Sequence, residues 1–298
     1  MATLRDIRSR VNSVRSIQKS TQAMNMVATA KLRKAQNLVE SSRPYLYKLS
    51  NSISNIIDSL EGELEHPFVE KREQINNIAV IVVSSDKGMC GSFNTNLLKE
   101  AFFEISVNIP ENFPSANVSV IPIGRKAISF FSKKEINMPY KYSNVSNEPD
   151  FNTIKSIIDP IKEDFINNNF DIVYIFSVKF INILKQTPVK VQLLPFVPSV
   201  DSVEKKATKF NNNFIFEPNK NEILDSLIPK LIDTIFWYSI LDSNASEQAA
   251  RRVAMDNATT NAGELIKSLN LIYNNIRQAS ITSEIIEIVS GANALKGN

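Results

Sequence analysis

Residues 230–298 contain no proline and run as one helical pattern, which constrains this chain more than any other feature. Proline removes a backbone donor and clashes with the preceding turn, so its absence over such a stretch permits a single long helix. Along it, Ala258, Ala262, Leu265, Leu269, Ile272, Ile276 and Ala279 alternate steps of four and three. That is the apolar repeat of a left-handed coiled coil, and it predicts a partner helix lying along the seam. Upstream, Ala245, Ala249, Ala250, Ala254 and Ala258 are small enough for a neighbouring backbone to approach closely. At the end, Ile281, Ile285, Ile286, Ile288, Val289, Ala292 and Leu295 point in too many directions for one seam. An all-round apolar helix needs burial on all sides, so this tip is expected to be sleeved by something outside the chain.

The N-terminus supplies the partner for the seam. All 13 prolines fall between Pro44 and Pro229, and the first 43 residues hold neither proline nor glycine. Leu4, Ile7, Val11, Val14, Ile17, Thr21, Met24, Ala28, Leu32 and Ala35 step by threes and fours as a second seam. A helix over about 4–60 would be roughly 85 Å long and one over about 221–294 roughly 110 Å, at ~1.5 Å per residue. Neither fits inside a compact domain. The middle of the chain joins the end of one arm to the start of the other, so the arms are expected to pair antiparallel.

The middle reads as α/β. Residues 78–84 (IAVIVVS), 118–123 (VSVIPI), 171–178 (DIVYIFSV) and 189–194 (VKVQLL) are short β-rich runs, separated by helical candidates at 92–107, 125–134 and 151–168. Strands alternating with helices predict a largely parallel sheet, and the last two strands are too close for a crossover and predict a hairpin. His66-Pro67 and the Lys- and Asn-rich stretch 201–213 read as linkers. The fold class expected is α/β: a long antiparallel coiled coil of N- and C-terminal helices with an inserted Rossmann-like α/β domain. Its expected divisions are an N-terminal coiled-coil helix at 1–60, the α/β domain at 75–200 and a C-terminal coiled-coil helix at 214–298.

Composition excludes several function classes. A hydrophobic content of 43%, a charged content of 22% and a formal net charge of +3 describe an ordinary soluble chain. No apolar run approaches the ~20 residues that a spanning helix needs, so any membrane association is expected through partners. One cysteine, Cys90, and one histidine, His66, rule out an internal disulfide and a Cys/His zinc site. The opening MATLRDIRSRVNSVRS superficially matches a transit peptide, but the same helical pattern continues past it without a break. The first arm is basic, with Arg5, Arg8, Arg10, Arg15, Lys19, Lys31, Arg33 and Lys34 against Asp6 and Glu40 within residues 1–40. An acidic partner or nucleic acid would suit it; no aromatics interleave the cations, which disfavours nucleic acid.

One loop invites a catalytic reading. In SSDKGMCGSFNTN, residues 84–96, a strand ends in a glycine-bearing loop and a helix begins, a place where phosphates bind helix N-termini. The spacing matches neither GxxxxGK[ST] nor GxGxxG, and a tight structural turn is the expectation. Cys90 as a nucleophile lacks a base, because His66 precedes the first strand. Asp86 and Lys87 have no second carboxylate or ligand cluster beside them, and capping of the following helix is the expected role. No catalytic residue, cofactor site or metal site is assigned.

Three stretches together identify a family resemblance: MATLRDIRSRVNSVRSIQKSTQAMNMVATAKLRKAQ at the start, SSDKGMCGSFN in the middle, and SEQAARRVAMDNATTNAGELI with RQASITSEIIEIVSGANAL at the end. They resemble the gamma subunit of F-type ATP synthase over the whole chain. The resemblance implies a non-catalytic rotor shaft inside a hexamer of alpha and beta subunits, joined to an epsilon subunit and to the membrane c-ring. It implies partner contacts at Met24, Lys31 and Arg33 on the first arm and at Arg251, Gln278 and Thr282 on the last. Lys87 and Met89 depart from the Arg and Leu common in the family, and the paired-cysteine insert of chloroplast members is missing. The absence of a presequence favours a bacterial protein over a mitochondrial precursor, with a mature mitochondrial chain as the alternative, and the resemblance then implies a peripheral location on the cytoplasmic side of a bacterial inner membrane. A coiled coil that binds nucleic acid or acts as a scaffold is the alternative, and salt-sensitive binding to DNA or RNA would reveal the former.

Overall fold

The computed structural model describes residues 3–58, 66–70, 72–145, 149–197, 217 and 219–296. The elements are α1 (Leu4–Asp58), β1 (Asn77–Val83), α2 (Phe93–Phe103), α3 (Ile109–Asn112), β2 (Asn117–Ile123), α4 (Arg125–Ser132), α5 (Phe151–Ile166), β3 (Ile172–Phe180), β4 (Gln186–Leu194) and α6 (Lys220–Lys296). The helix expected at 92–107 runs further: a single π turn, Glu104–Asn108, carries α2 into α3. Contacts divide the chain into two compact units, Thr29–Arg251 and Met1–Ala28 with Arg252–Asn298.

The larger unit is built on a four-stranded sheet in the order β2-β1-β3-β4. β1 pairs parallel with β2 and β3, and β4 returns antiparallel to β3 as the expected hairpin. Successive side chains of a strand face opposite sides. Ala79, Ile81 and Val83 of β1 therefore enter a core with Ile154, Ile158, Phe165, Ile228, Ile232 and Phe236 of α5 and α6. Ile78, Val80 and Val82 enter a second core with Leu97, Ala101, Ala127 and Phe131 of α2 and α4. A central strand covered on both faces is the reason this segment reads as a continuous apolar run.

Polar groups settle the remaining geometry. Asp150 caps α5 by accepting from the Thr153 amide at 3.1 Å. Gly124 has φ 97°, and a Cβ there would lie 2.2 Å from the Ser84 carbonyl oxygen, so only glycine fits where β1 and β2 end side by side. His66 does not behave as a linker residue: it is buried, its Nδ1 accepts from the Phe68 amide at 3.1 Å, and burial lowers its pKa despite Asp225 nearby. The linker expected at 201–213 lies outside the described residues.

Within this unit α6 is buried on every side over residues 241–249, although the run contains Asp242, Ser243, Asn244, Ser246, Glu247 and Gln248. Ser243 and Ser246 donate to the carbonyls of Val83 and Val178 at 3.3 and 3.1 Å, which joins the helix to the ends of β1 and β3. Ala245 and Leu241 pack with Ala35 and Val39 of α1, as the small side chains of the alanine stretch predict.

The smaller unit is a two-helix pair. Thr21 meets Thr259 at 2.8 Å and Asn25 donates to Asp256 at 3.1 Å, so residue numbers rise along one helix as they fall along the other. The arms are antiparallel, as expected. Ile7, Val11, Val14, Ala262 and Leu269 form the buried seam, with Ile266, Tyr273 and Ile276 packed against it.

The seam keeps its expected line at Ile7, Val11, Val14 and Thr21 on α1 and at Ala262, Leu269 and Ile276 on α6, and departs from it at positions between these. Leu265 and Ile272 are 41% and 43% exposed, Ala279 is exposed, and Ile266 and Tyr273 take the inward places. On α1, Ile17 and Met24 are 56% and 42% exposed, while Gln18, Thr21 and Asn25 are half-buried. At about 100° per residue, Leu265 and Ile272 lie roughly 60° and 80° to one side of Ala262, whereas Ile266 and Tyr273 lie within roughly 40° of it. A four-three and a three-four step are equally periodic, and apolarity alone favours the wrong one for Ile17 and Met24. The polar residues of the true line are accommodated because Thr21 and Asn25 find polar partners, and Gln18 Nε2 lies 3.1 Å from the place a Cβ on Gly263 would occupy.

Candidate functional site

Nothing in the described residues assembles into a reaction centre. No group of three or more metal-ligating side chains occurs among them. A cleft of about 550 Å³ in the larger unit is lined by Ser41, Tyr45, Phe151, Lys155, Lys230 and Trp237, and its carboxylate, Asp233, is already held by Lys162 at 2.6 Å. Burial pushes the Cys90 thiol above its ordinary pKa, the opposite of an activated nucleophile.

The loop after β1 is shaped from three directions. Ser85 N–H donates to Asn94 Oδ1 at 3.1 Å, Ser85 Oγ donates to the Lys87 carbonyl at 2.7 Å, and Asn94 Nδ2 reaches Cys90 Sγ at 3.1 Å. Asp86 does not cap the helix that follows it in sequence. Ser92 holds that N-cap position without a side-chain bond to the helix amides, and Asp86 Oδ1 instead accepts from the amides of Arg125 and Asn144 at 3.1 and 3.0 Å. Asp86 thus serves α4, to which Ser84 Oγ also contributes by accepting from the Ala127 amide at 2.8 Å. The third direction is α6, where Arg251 donates to the carbonyls of Lys87 and Gly88.

The residues singled out by resemblance occupy distinct settings. In the smaller unit, Met24, Gln278 and Thr282 are exposed, and Thr282 Oγ donates to the Gln278 carbonyl at 2.9 Å within its own helix. In the larger unit, Lys31 and Arg33 are exposed, whereas Arg251 is half-buried. Glu247, which the sequence reading passed over, is 5% exposed beside Arg251, and burial raises its pKa. A Glu four residues before an Arg on a helix was the available signal. At the far end of α6, Ile281, Ile285, Ile286, Ile288 and Val289 are all about half exposed or more, with Ile288 at 71%.

Two long terminal helices that pair antiparallel, with an α/β sheet domain inserted between them in sequence, define the class of this protein by its fold. A family model described as ATP synthase matches residues 3–295. Among similar proteins, the ATP synthase gamma chain of Chloroherpeton thalassium is 41% identical over 305 residues, covering 99% of both chains. That of Chlorobium phaeobacteroides is 39% identical over 297 residues, covering 100% of both. The chain belongs to the ATP synthase gamma-chain family. Its fold resembles a chain of the mitochondrial ATP synthase of Euglena gracilis in an OSCP/F1/c-ring structure, with a TM-score of 0.67 and 15% identity over 98% of this chain and 94% of that one. It also resembles a chain of the Tetrahymena thermophila central stalk and c-ring, with a TM-score of 0.58 and 21% identity over 80% and 98% of the two chains.

Proposed function

We propose that this chain is the central rotor shaft of an F-type ATP synthase and contributes no catalytic group of its own. In this role it couples rotation of a membrane c-ring to ATP synthesis or hydrolysis at the beta subunits of an alpha-beta hexamer, with an epsilon subunit beside it. The observation that carries the reading is the full-length match to gamma chains at about 40% identity. Two features of the chain support it. The apolar end of α6 lies open in the isolated chain and suits an enclosing sleeve, and the basic first arm suits acidic company. Among the described residues no helix is long and apolar enough to cross a membrane, so membrane association runs through partners. The proposed location is the cytoplasmic face of a bacterial inner membrane.

A shaft acts by meeting its surroundings differently at each angle, because a contact shifts an equilibrium only through unequal affinity for the two states. Met24, Lys31, Arg33, Gln278 and Thr282 project outward and are proposed as such contacts. The test is reconstitution: the purified chain alone hydrolyses no ATP but raises turnover when mixed with alpha and beta subunits. Gln278→Leu with Thr282→Val is expected to leave the isolated chain's melting curve in place and to lower turnover of the assembled head sharply. Wild-type turnover in that double variant would return the pair to ordinary solvated residues.

A further inference from the structure

Arg251 was expected among the partner contacts, yet its guanidinium is directed into its own unit. Nη1 donates to Glu247 Oε1 at 2.6 Å and to Gln248 Oε1 at 3.4 Å, and Nη2 donates to the carbonyls of Lys87 and Gly88 at 3.1 and 3.3 Å. A guanidinium has five donors, and four bonds of this set stay within the chain. Swinging it toward a partner would leave the Glu247 side chain, only 7% exposed, without its cation. The bonds also fall where the loop most needs them. Met89 adopts φ 62° without being glycine and exposes 67% of its surface, so the apex holds a disfavoured backbone with little packing on its outer side. Of the loop's other ties, Ser85 Oγ shares the Lys87 carbonyl at 2.7 Å and Asn94 Nδ2 holds Cys90 Sγ at 3.1 Å, while Asp86 bonds the amides of Arg125 and Asn144; Arg251 is the one that reaches Gly88, next to the apex. Beyond it, Cys90 lies buried beneath, its Sγ 3.9 Å from the Lys87 carbonyl.

We propose that Arg251 is a positioning residue: anchored on Glu247, it clamps the 87–88 carbonyls and so presents Lys87 and Met89 as a fixed knob to the surrounding hexamer. The presentation half of this proposal rests on the rotor reading; the clamp half does not. A cationic and apolar knob suits an acidic surface with apolar ground around it, and a fixed knob transmits displacement where a loose one yields.

Cys90, the chain's single cysteine, reports on the clamp. Its reaction rate with a disulfide reagent is measured in the full-length native chain, with melting curves alongside. Arg251→Gln is expected to speed labelling ~tenfold or more by local opening while shifting the melting curve no further than Arg252→Gln does. Arg251→Lys, able to pair with Glu247 but to reach fewer carbonyls, is expected to fall between. Glu247→Gln, which frees the guanidinium from its anchor, is expected to speed labelling even where Arg251→Gln folds poorly. Unchanged labelling in both Arg251→Gln and Glu247→Gln would overturn the clamp. In the assembled head, Arg251→Gln and Met89→Ser are both expected to lower turnover, the second without faster labelling of the free chain. Wild-type turnover in Met89→Ser would overturn the presentation half. Failure of the unaltered chain to stimulate alpha and beta subunits would instead overturn the rotor reading and leave the labelling result standing.

Discussion

Two stretches of α6 invert the usual relation between composition and burial. Residues 242–248 are mostly polar, with two carboxylates, and are buried on all sides; residues 281–289 carry four isoleucines and a valine and are exposed. A helix by itself has no inside, so what covers it is decided elsewhere in the chain or outside it. The buried stretch is tolerated because Ser243 and Ser246 find the carbonyls of Val83 and Val178 and Glu247 finds a guanidinium, while one Asp242 oxygen goes unpaired. The exposed stretch persists as helix because each backbone bond is satisfied within it, whether or not its side chains are covered. Burial in this chain therefore follows neighbours, and helix formation follows sequence.

The largest effect expected tests the covered side of that contrast. Phe165 of α5 is fully buried in the core that α6 completes. Phe165→Ala should cost about 3–5 kcal/mol in chemical denaturation, and a loss below ~1 kcal/mol would show that the sheet domain does not hold the helix as described.

Next is the charge carried by the buried stretch. Burial raises the Asp242 carboxyl to about 6, against the opposing pull of the Phe180 amide, Lys179 and Arg43, and one of its oxygens has no partner. The carboxyl is thus harder to ionise in the folded chain than in the unfolded one. The penalty is present above pH 6 and is relieved as pH falls through 6 toward 3.8, so Asp242 makes the fold gain stability on mild acidification. Asp242→Asn should stabilise the chain at pH 8 by up to about 3 kcal/mol and should flatten the stability profile between the unfolded value of 3.8 and the folded value of about 6. The measurement is denaturant midpoint against pH for both proteins; parallel profiles would remove Asp242 as the cause.

The seam can be sharpened with one residue type at two positions. Leu269 is 6% exposed and Leu265 is 41% exposed on the same helix. Leu269→Ala should cost about 2 kcal/mol and Leu265→Ala under about 1 kcal/mol in thermal unfolding. Equal losses would restore the seam through Leu265 and Ile272.

The smallest effect is expected at the uncovered tip. Ile285→Ser with Ile286→Ser should change the isolated chain's stability by no more than about 0.5 kcal/mol, because these side chains are already in water. The same pair should weaken association with an alpha-beta hexamer, measured by co-sedimentation. A large stability loss in the isolated chain would mean that the tip is packed after all.

Much of the architecture was legible in residue order. The four strands, the crossover helices and the final hairpin appear where β-rich runs and their spacing place them, because a central strand covered on both faces must be apolar throughout. Less legible were the bonds of Asp86, which looked like a cap for the next helix and serves α4 instead, and those of Arg251, which the resemblance implies as a partner contact and which also bonds within the chain. Both sets of bonds escape a reading of the sequence for one reason: the partners lie 39 and 164 residues away, and local spacing carries no information about such distances.

Sequence by itself determined the two long helices, their antiparallel pairing and the alternation of strand and helix between them, since each follows from side-chain period and chain order; the helices extend past the proline-free stretches, α1 through Pro44 and α6 through Pro229. Tertiary structure decided which residue of each seam faces inward. Three-four and four-three steps satisfy the same heptad spacing, and only the opposite helix, offering Asp256 to Asn25 beside the Thr21–Thr259 pair, turns Asn25 rather than Met24 toward it.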